Sequence, residues 1–196
     1  MDEETLATVE KSARRQNSLI VFEDESGVSL LPSVRATWAP RGQTPVLRHR
    51  FVWKRLSIAS ALVYEPDGSD ARLAFELRPG AYNTETLIEF LTFLHELEAG
   101  RSVILLWDGL PAHRSRWMSD WAASQREWLR IEPLPGYAPD LNPTEQVWGN
   151  VKSTQLANLC VDTIGEVADL AEVGLDRISG DAPLCFAFLR HTGLRL

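Results

Sequence analysis

The sequence predicts an α/β fold, in which a mixed β-sheet of about five strands carries helices on its faces. Two observations lead to this prediction. The runs 19–22 and 103–107 are continuously apolar, as expected of central strands that are buried on both faces. Elsewhere the apolar period changes from the alternation of strands to the three- and four-residue spacing of helices. A chain of 196 residues fits a single domain.

The first half of the chain is predicted to form mainly strands. Residues 1–17 are polar, and a helix is expected around Leu6 to Ala13. The first apolar run ends at Asp24, and a turn-rich connection covers residues 38–45. The strands expected in this half are 19–24, a return strand at 28–31, 56–64 and 73–77.

Helices and strands alternate in the second half. Strands are expected at 103–107 and 129–134. Thr163 and Glu166 form a capping-box pattern that opens a last helix. The helices expected are 84–98, one through Trp117, Trp121 and Trp128, one that starts at Asn142 and Pro143, and one through Ile164 to Ile178.

Composition limits the classes of function. No apolar run approaches the roughly 20 residues that span a bilayer, and the polar start is no signal peptide. Cys160 and Cys185 form no metal-ligand pattern, so reduced thiols and a cytoplasmic location are expected, with nucleoid association when DNA is bound. The net charge of −7 argues against a surface that binds nucleic acid all over.

Contact with nucleic acid would therefore be local. The densest basic segment interleaves aromatic residues with cations, which suits a grip on a strand backbone with stacking on bases. The alternative is a solvated hairpin whose aromatic side chains, Phe51 and Trp53, face the core. The basic residues expected to bind DNA in this segment are Arg48, Arg50, Lys54 and Arg55.

Three acidic residues stand where a strand ends or a helix begins. Asp24 and Asp108 each end an apolar run, and Glu145 lies in the first turn of the helix that Asn142 and Pro143 start. If the two strands are parallel neighbours, their carboxylates share one sheet edge, which Glu145 approaches from its helix. Such a cluster needs cations, and its oxygen ligands suit Mg²⁺ or Mn²⁺. The alternatives are turn chemistry for the two aspartates and helix capping for Glu145.

Four segments resemble the catalytic domain of bacterial insertion-sequence transposases in the mariner superfamily. These are DDE enzymes with a ribonuclease-H-like fold, and the interval from Asp108 to Glu145 matches their compact spacing. The resemblance implies that Asp24, Asp108 and Glu145 form the metal-binding triad, with Glu in place of the third Asp of the animal branch. The segments are 22–27, 38–42, 107–115 and 134–148.

The resemblance also implies a reaction. A DDE transposase cleaves DNA strands and transfers them for an insertion sequence, using two Mg²⁺ ions per site or Mn²⁺ as a substitute. Two ions about 3.5–4 Å apart, bridged by Asp24, would support in-line displacement first by water and then by a DNA 3′-hydroxyl. The expected partners are the double-stranded DNA of transposon ends and target, and a second copy of the chain. His113 and Arg114 are expected to bind DNA, and a structural hydrogen bond at a helix start is the alternative for His113. Glu25 and Asp140 are expected as supporting or capping groups.

Complete members of this family carry helix-turn-helix modules before the catalytic domain. Here residues 18–196 are expected to be the catalytic domain and residues 1–17 a helical lead-in or linker remnant, with no such module present. An upstream-frame or fused polypeptide would then supply DNA recognition. Two alternatives are a catalytically silent remnant that associates with DNA or dimerises, and a ribonuclease-H-like nuclease without strand transfer.

Overall fold

The computed structural model describes residues 3–49, 53–136 and 139–194, and it contains one sheet with helices on both faces. The strands are β1 (Leu19–Ser29), β2 (Arg55–Tyr64), β3 (Ala71–Pro79), β4 (Val103–Trp107) and β5 (Leu129–Pro133). The helices are α1 (Glu3–Gln16), α2 (Thr84–Leu97), α3 (Arg116–Ser124), α4 (Thr144–Ser153), α5 (Ile164–Ser179) and α6 (Ala182–His191).

The sheet is mixed, as the sequence predicted. Its strand order is β3-β2-β1-β4-β5, with antiparallel pairing on the β2 side of β1 and parallel pairing on the β4 side. The parallel register sets Phe22 opposite Leu106. Asp24 and Asp108 each follow that pair by two residues, so the two strands deliver their carboxylates to the same edge.

Both faces of β1 are buried, which explains its continuous apolar run. Ile20 and Phe22 belong to a core that also includes residues of α4, α5 and α6, whereas Leu19 and Val21 pack in a second core with α2. Helix α1 adds Val9 and Ala13 to the first core. No described helix combines the length and the apolarity that a bilayer crossing requires.

The return strand expected at 28–31 is wrong. β1 continues without a break to Ser29, where Val28 is paired with Leu56 of β2. The polar residues after Phe22 do not end the strand because the β2 ladder satisfies their backbone groups. The antiparallel return is made by β2 instead.

Two helix predictions also need correction. Helix α3 ends at Ser124, before Trp128, whose indole N–H donates to Gln125 while its backbone carbonyl accepts from Val103 at the start of β4. Helix α6 was not predicted. Its signals were Asp181, whose side chain accepts from the Leu184 N–H, and a proline in the first turn.

Candidate metal-binding active site

Asp24 lies in the middle of β1 and is only 8% exposed. Its Oδ2 accepts a hydrogen bond from the Trp148 indole at 3.1 Å, and its Oδ1 accepts from the Glu25 N–H at 2.9 Å. Burial, followed by the negative charge of Glu145, raises the pKa of Asp24 to about 7. The carboxylate is thus held in a fixed orientation in an environment that disfavours its charge.

The start of helix α4 places Glu145 at the site. A single 3₁₀ turn at Pro139–Leu141 precedes the helix, and the Asn142 N–H donates to the Pro139 carbonyl at 2.9 Å. The capping box considered for Glu145 needs that same N–H, so this alternative is not realised. Asn142 instead accepts the Thr144 N–H at 3.1 Å through its side chain. Glu145 is exposed and lines the cavity beside Asp24.

A buried hydrogen bond fixes α4 relative to β1. Thr144 is fully buried, and its hydroxyl donates to the Phe22 carbonyl at 3.1 Å. Phe22 lies two residues before Asp24 on β1, and Thr144 lies directly before Glu145 on α4. The spacing of the two carboxylates therefore depends on this contact as well as on the Trp148 bond.

Asp108 follows the last residue of β4. Its Oδ1 accepts from the Leu110 N–H at 3.0 Å and lies 3.0 Å from Nδ1 of His113. Burial alone would raise the pKa of Asp108, but the hydrogen bonds from His113 and Leu110 and the nearby charges of His113 and Arg114 outweigh burial and lower the pKa. Asp108 therefore stays ionised where Asp24 is poised to protonate.

The three carboxylates line one cavity of about 440 Å³. Arg114 lies at its wall and is exposed to solvent. The remaining wall consists of the loop after β4 and the segment before α4: Gly109, Leu110, Pro111, Leu134, Pro135, Gly136, Pro139 and Asn142. The convergence expected from strand ends and a helix start is therefore found. Asp140 is exposed in the 3₁₀ turn.

His113 lies beneath the cavity rather than on its surface. The ring is buried, stacks on Trp107 with centroids 4.0 Å apart, and bridges Asp108 to Glu25, whose Oε1 is 3.3 Å from Nε2. Burial lowers the pKa of His113, but the hydrogen bonds and charges of Asp108, Glu25 and Glu23 raise it overall, to about 10. Of the two roles that the sequence left open for His113, the hydrogen bond to Asp108 matches the structural one, whereas the proximity of Glu23 and Glu25 was not predicted.

The described part of the basic segment lies away from the three carboxylates. Arg48, Lys54 and Arg55 are exposed, and Arg55 pairs with Ser29 at the far end of the β1–β2 ladder. That end is about 17 Å along the strand from Asp24. Trp53 is 69% exposed, so its ring does not face the core as the hairpin alternative required. Arg50 and Phe51 lie outside the described residues.

Two contacts of the site were not predicted. Trp148 donates to Asp24, and Glu23, directly after the apolar run of β1, has its side chain buried beside His113. The sequence carried a signal for Glu23, because a glutamate directly after a buried phenylalanine in a central strand is unusual. No sequence signal linked Trp148 to Asp24, which lies 124 positions away.

The sequence profile of the DDE superfamily endonucleases matches residues 19–167. No curated protein sequence matched the chain. Among solved structures, the chain is similar to the catalytic domain of Mos1 mariner transposase, with a TM-score of 0.53, 16% identity, and coverage of 100% of this chain and 97% of that one.

Two DNA-complex structures of Mos1 also match. The mariner Mos1 paired end complex with Mg has a TM-score of 0.66 at 20% identity, covering 97% of this chain and 59% of that chain. The Mos1 strand transfer complex has a TM-score of 0.66 at 19% identity, covering 97% of this chain and 56% of that chain. The chain thus spans less than two thirds of these Mos1 chains. These similarities show that the chain has the ribonuclease-H-like fold, which the resemblance to DDE transposases implied.

Proposed function

Since this chain belongs to the DDE superfamily endonucleases, we propose that it is the catalytic domain of a transposase that cleaves DNA strands and joins them to a target. One observation carries the proposal. Asp24, Asp108 and Glu145 come from two neighbouring strands and a helix and line the same cavity. This is the carboxylate arrangement that metal-dependent phosphoryl transfer uses.

The residues of the cavity fit divalent cations. Asp24 is buried beside Glu145, and the repulsion between the two carboxylates helps to raise the pKa of Asp24 to about 7. A bound cation would lower that pKa again. Carboxylate oxygens and a cavity wide enough for waters suit Mg²⁺, with Mn²⁺ as a substitute. Two ions per site, when bound, would activate the attacking oxygen and stabilise the leaving oxygen. The Mos1 paired end complex with Mg supports this choice of ion.

The chain's own residues divide the work. Asp24 is oriented by Trp148 and by the Glu25 N–H, so one carboxylate oxygen pair is fixed before any ion or DNA arrives. Asp108 is oriented by the Leu110 N–H and by His113. Among the described residues no hydrogen bond fixes the exposed side chain of Glu145, which can therefore adjust to its ligand. Arg114, at the cavity wall, is positioned to bind a phosphate of the DNA backbone.

We propose double-stranded DNA as the substrate, both as transposon end and as target. The net charge of −7 requires the contact to be local. Arg114 would hold the reacting phosphate, and Arg48, Lys54 and Arg55, with Arg50 from the segment outside the described residues, would follow the backbone further along. His113, which is buried, would act through Asp108 instead of touching DNA.

We also propose that two copies act together, because joining two ends to one target needs paired active sites. The segment between β1 and β2 supports a protein contact: Trp38 is 100% exposed, and Val34 and Val46 are largely exposed. Recognition of specific transposon ends would fall to a helix-turn-helix module in the same or a separate polypeptide.

The proposal is tested by nicking of supercoiled plasmid and by joining of a pre-cleaved DNA end to it, each in Mg²⁺ and in Mn²⁺. Asp108→Asn keeps the size of the side chain but removes its charge, and should lower both rates by about 10³-fold or more, or about 4 kcal/mol of transition-state stabilisation. Asp120→Asn is the matched control, because Asp120 is exposed on α3 and paired only with Arg116 among the described contacts.

The outcomes separate the alternatives. Equal loss in both variants, or no loss in Asp108→Asn, would refute the assignment of the site. Nicking without joined products would favour a nuclease that does not transfer strands. A folded wild-type chain that neither nicks nor joins in either metal, even when fused to a helix-turn-helix module that binds the DNA, would favour the catalytically silent remnant.

A further inference from the structure

A second cluster of metal-ligand side chains lies on the opposite face of β1 from Asp24. Alternation along a strand turns Glu23 and Glu25 away from the catalytic cavity, and His113 meets them from the loop after β4. One ligand atom from each of Glu23, Glu25 and His113 lies within 4.8 Å of the other two. We call these three residues the Glu23 cluster.

Glu23 is the anomaly in this cluster. Its side chain is 0% exposed, and neither carboxylate oxygen has a hydrogen-bond partner among the described residues. Oε2 of Glu25 is also buried without a partner in the described part of the chain. Buried polar groups are nearly always paired, and a buried carboxylate is especially costly without a partner. Protonation of Glu23 would remove its charge but would still leave the carboxyl group without a hydrogen-bond acceptor among the described residues. A bound ligand would satisfy both carboxylate oxygens.

His113 is oriented as a metal ligand would be. Its Nδ1 lies 2.9 Å from the Asp108 carbonyl oxygen and 3.0 Å from Asp108 Oδ1. Both are acceptors, so Nδ1 carries a proton. Without an ion, the raised pKa of His113 keeps a second proton on Nε2, and a cation bound in the Glu23 cluster would displace that proton to solvent. A histidine that donates one ring N–H to a carboxylate while the other nitrogen binds a metal is a common arrangement.

The distances suit a small tetrahedral cation. Nε2 of His113 is 3.3 Å from Glu25 Oε1 and 3.9 Å from Glu23 Oε2. Two ligands bound at about 2.0–2.2 Å to a tetrahedral ion are about 3.3–3.6 Å apart. The first pair meets this separation and the second needs a shift of a few tenths of an ångström. Two carboxylates and one imidazole are ligands that zinc accepts, with a water in the fourth position.

We propose that Glu23, Glu25 and His113 bind one divalent cation of the zinc class, distinct from the ions of the catalytic cavity. The bound ion would fix the His113 ring and, through its Nδ1–H bond, the Asp108 carboxylate. Its role is structural and positional, and it requires no step in DNA cleavage. The proposal therefore stands whether or not the three acids of the cavity act on DNA.

The test uses zinc binding in a chain whose other candidate ligands are disabled. The background is Asp24→Asn, Glu145→Gln and Cys160→Ser, which removes two cavity carboxylates and the exposed thiol beside His49 and Asp162. After treatment with EDTA, Zn²⁺ binding is measured by equilibrium dialysis with metal analysis. We expect one Zn²⁺ per chain. Adding Glu23→Gln or His113→Gln should weaken binding by about 100-fold or more, and His191→Gln, a surface histidine on α6, should change it little.

Thermal melting by circular dichroism accompanies each titration. In the background chain Zn²⁺ should raise the melting temperature by mass action, and in Glu23→Gln that rise should vanish while the fold remains. Glu23→Gln is nearly isosteric and removes a buried charge, so it should fold even if His113→Gln does not. The proposal is overturned if the background chain binds no Zn²⁺, or if folded Glu23→Gln binds as tightly as its parent. The first outcome would leave a protonated His113 between two carboxylates as the state of the cluster. DNA nicking by the wild-type chain is unaffected by either result, so the two proposals fail separately.

Discussion

Replacing Asp24 by asparagine should stabilise the metal-free protein at neutral and alkaline pH. Asp24 is buried beside Glu145, and its pKa is raised from 3.8 to about 7. Because the pKa is higher in the folded state, the folded protein binds the proton more tightly, and stability falls as pH rises from 3.8 to about 7. At about 1.4 kcal/mol per pH unit, ionising Asp24 costs the fold about 4 kcal/mol above pH 7.

The substitution removes that cost and loses one hydrogen bond. Asp24 accepts from both Trp148 and Glu25, and an asparagine has a single acceptor oxygen, so about 1 kcal/mol is lost. In EDTA near pH 8, Asp24→Asn should therefore be more stable than wild type by about 3 kcal/mol. Near pH 4.5, where Asp24 is mostly protonated, the two proteins should differ by no more than about 1 kcal/mol.

Urea denaturation at both pH values measures the free energy of unfolding of each protein. Asp120→Asn serves as the control, since its carboxylate is exposed on α3 and its removal should have no pH-dependent effect of this size. Adding Mg²⁺ at about pH 8 should stabilise wild type and not Asp24→Asn, which reverses their order as the ion concentration rises. An Asp24→Asn variant that is less stable than wild type at both pH values in EDTA would refute the argument that burial strains this carboxylate.

Three further substitutions test the structure elsewhere. Thr144→Val removes the buried hydroxyl that donates to Phe22 and should lower the free energy of unfolding in urea by about 1–3 kcal/mol. The nicking rate should also fall because Glu145 shifts, and an unchanged rate would show that the bond does not position Glu145. Arg114→Gln should weaken DNA binding, and the slope of the binding constant against salt concentration should decrease by about one phosphate contact. Fluorescence anisotropy across salt concentrations measures this slope, and an unchanged slope would show that Arg114 does not contact the DNA backbone. Gly174→Ala places a methyl group 2.8–3.2 Å from the Gln155 side chain, so alone it should leave the stability of the fold nearly unchanged. Combined with Gln155→Ala, which removes the close contact, it should stabilise the fold by up to about 1 kcal/mol, and additive effects of the two substitutions in thermal melts would contradict this contact.

The local pattern was sufficient for the parts of the fold that depend on contiguous residues. The apolar runs before Asp24 and Asp108 predicted β1 and β4 because a strand buried on both faces must be apolar at every position. The capping box of Thr163 and Glu166 was found where it was predicted, because capping joins residues only three apart. The predicted end of β1 was wrong, because the length of the strand is set by its pairing with β2, which lies about 30 residues later in the sequence.

The sequence by itself indicated that two acids follow central apolar runs and that a third lies in the first turn of a helix, and hence that the three would meet at one side of the sheet. The tertiary structure alone decided how each acid behaves. Trp148 fixes Asp24, His113 holds Asp108, and Glu23 is buried without a hydrogen-bond partner among the described residues. The physical reason is that hydrogen bonds and pKa values depend on distances of a few ångströms between side chains far apart in sequence. Periodicity reports which face a residue occupies, and only folding determines what meets it there.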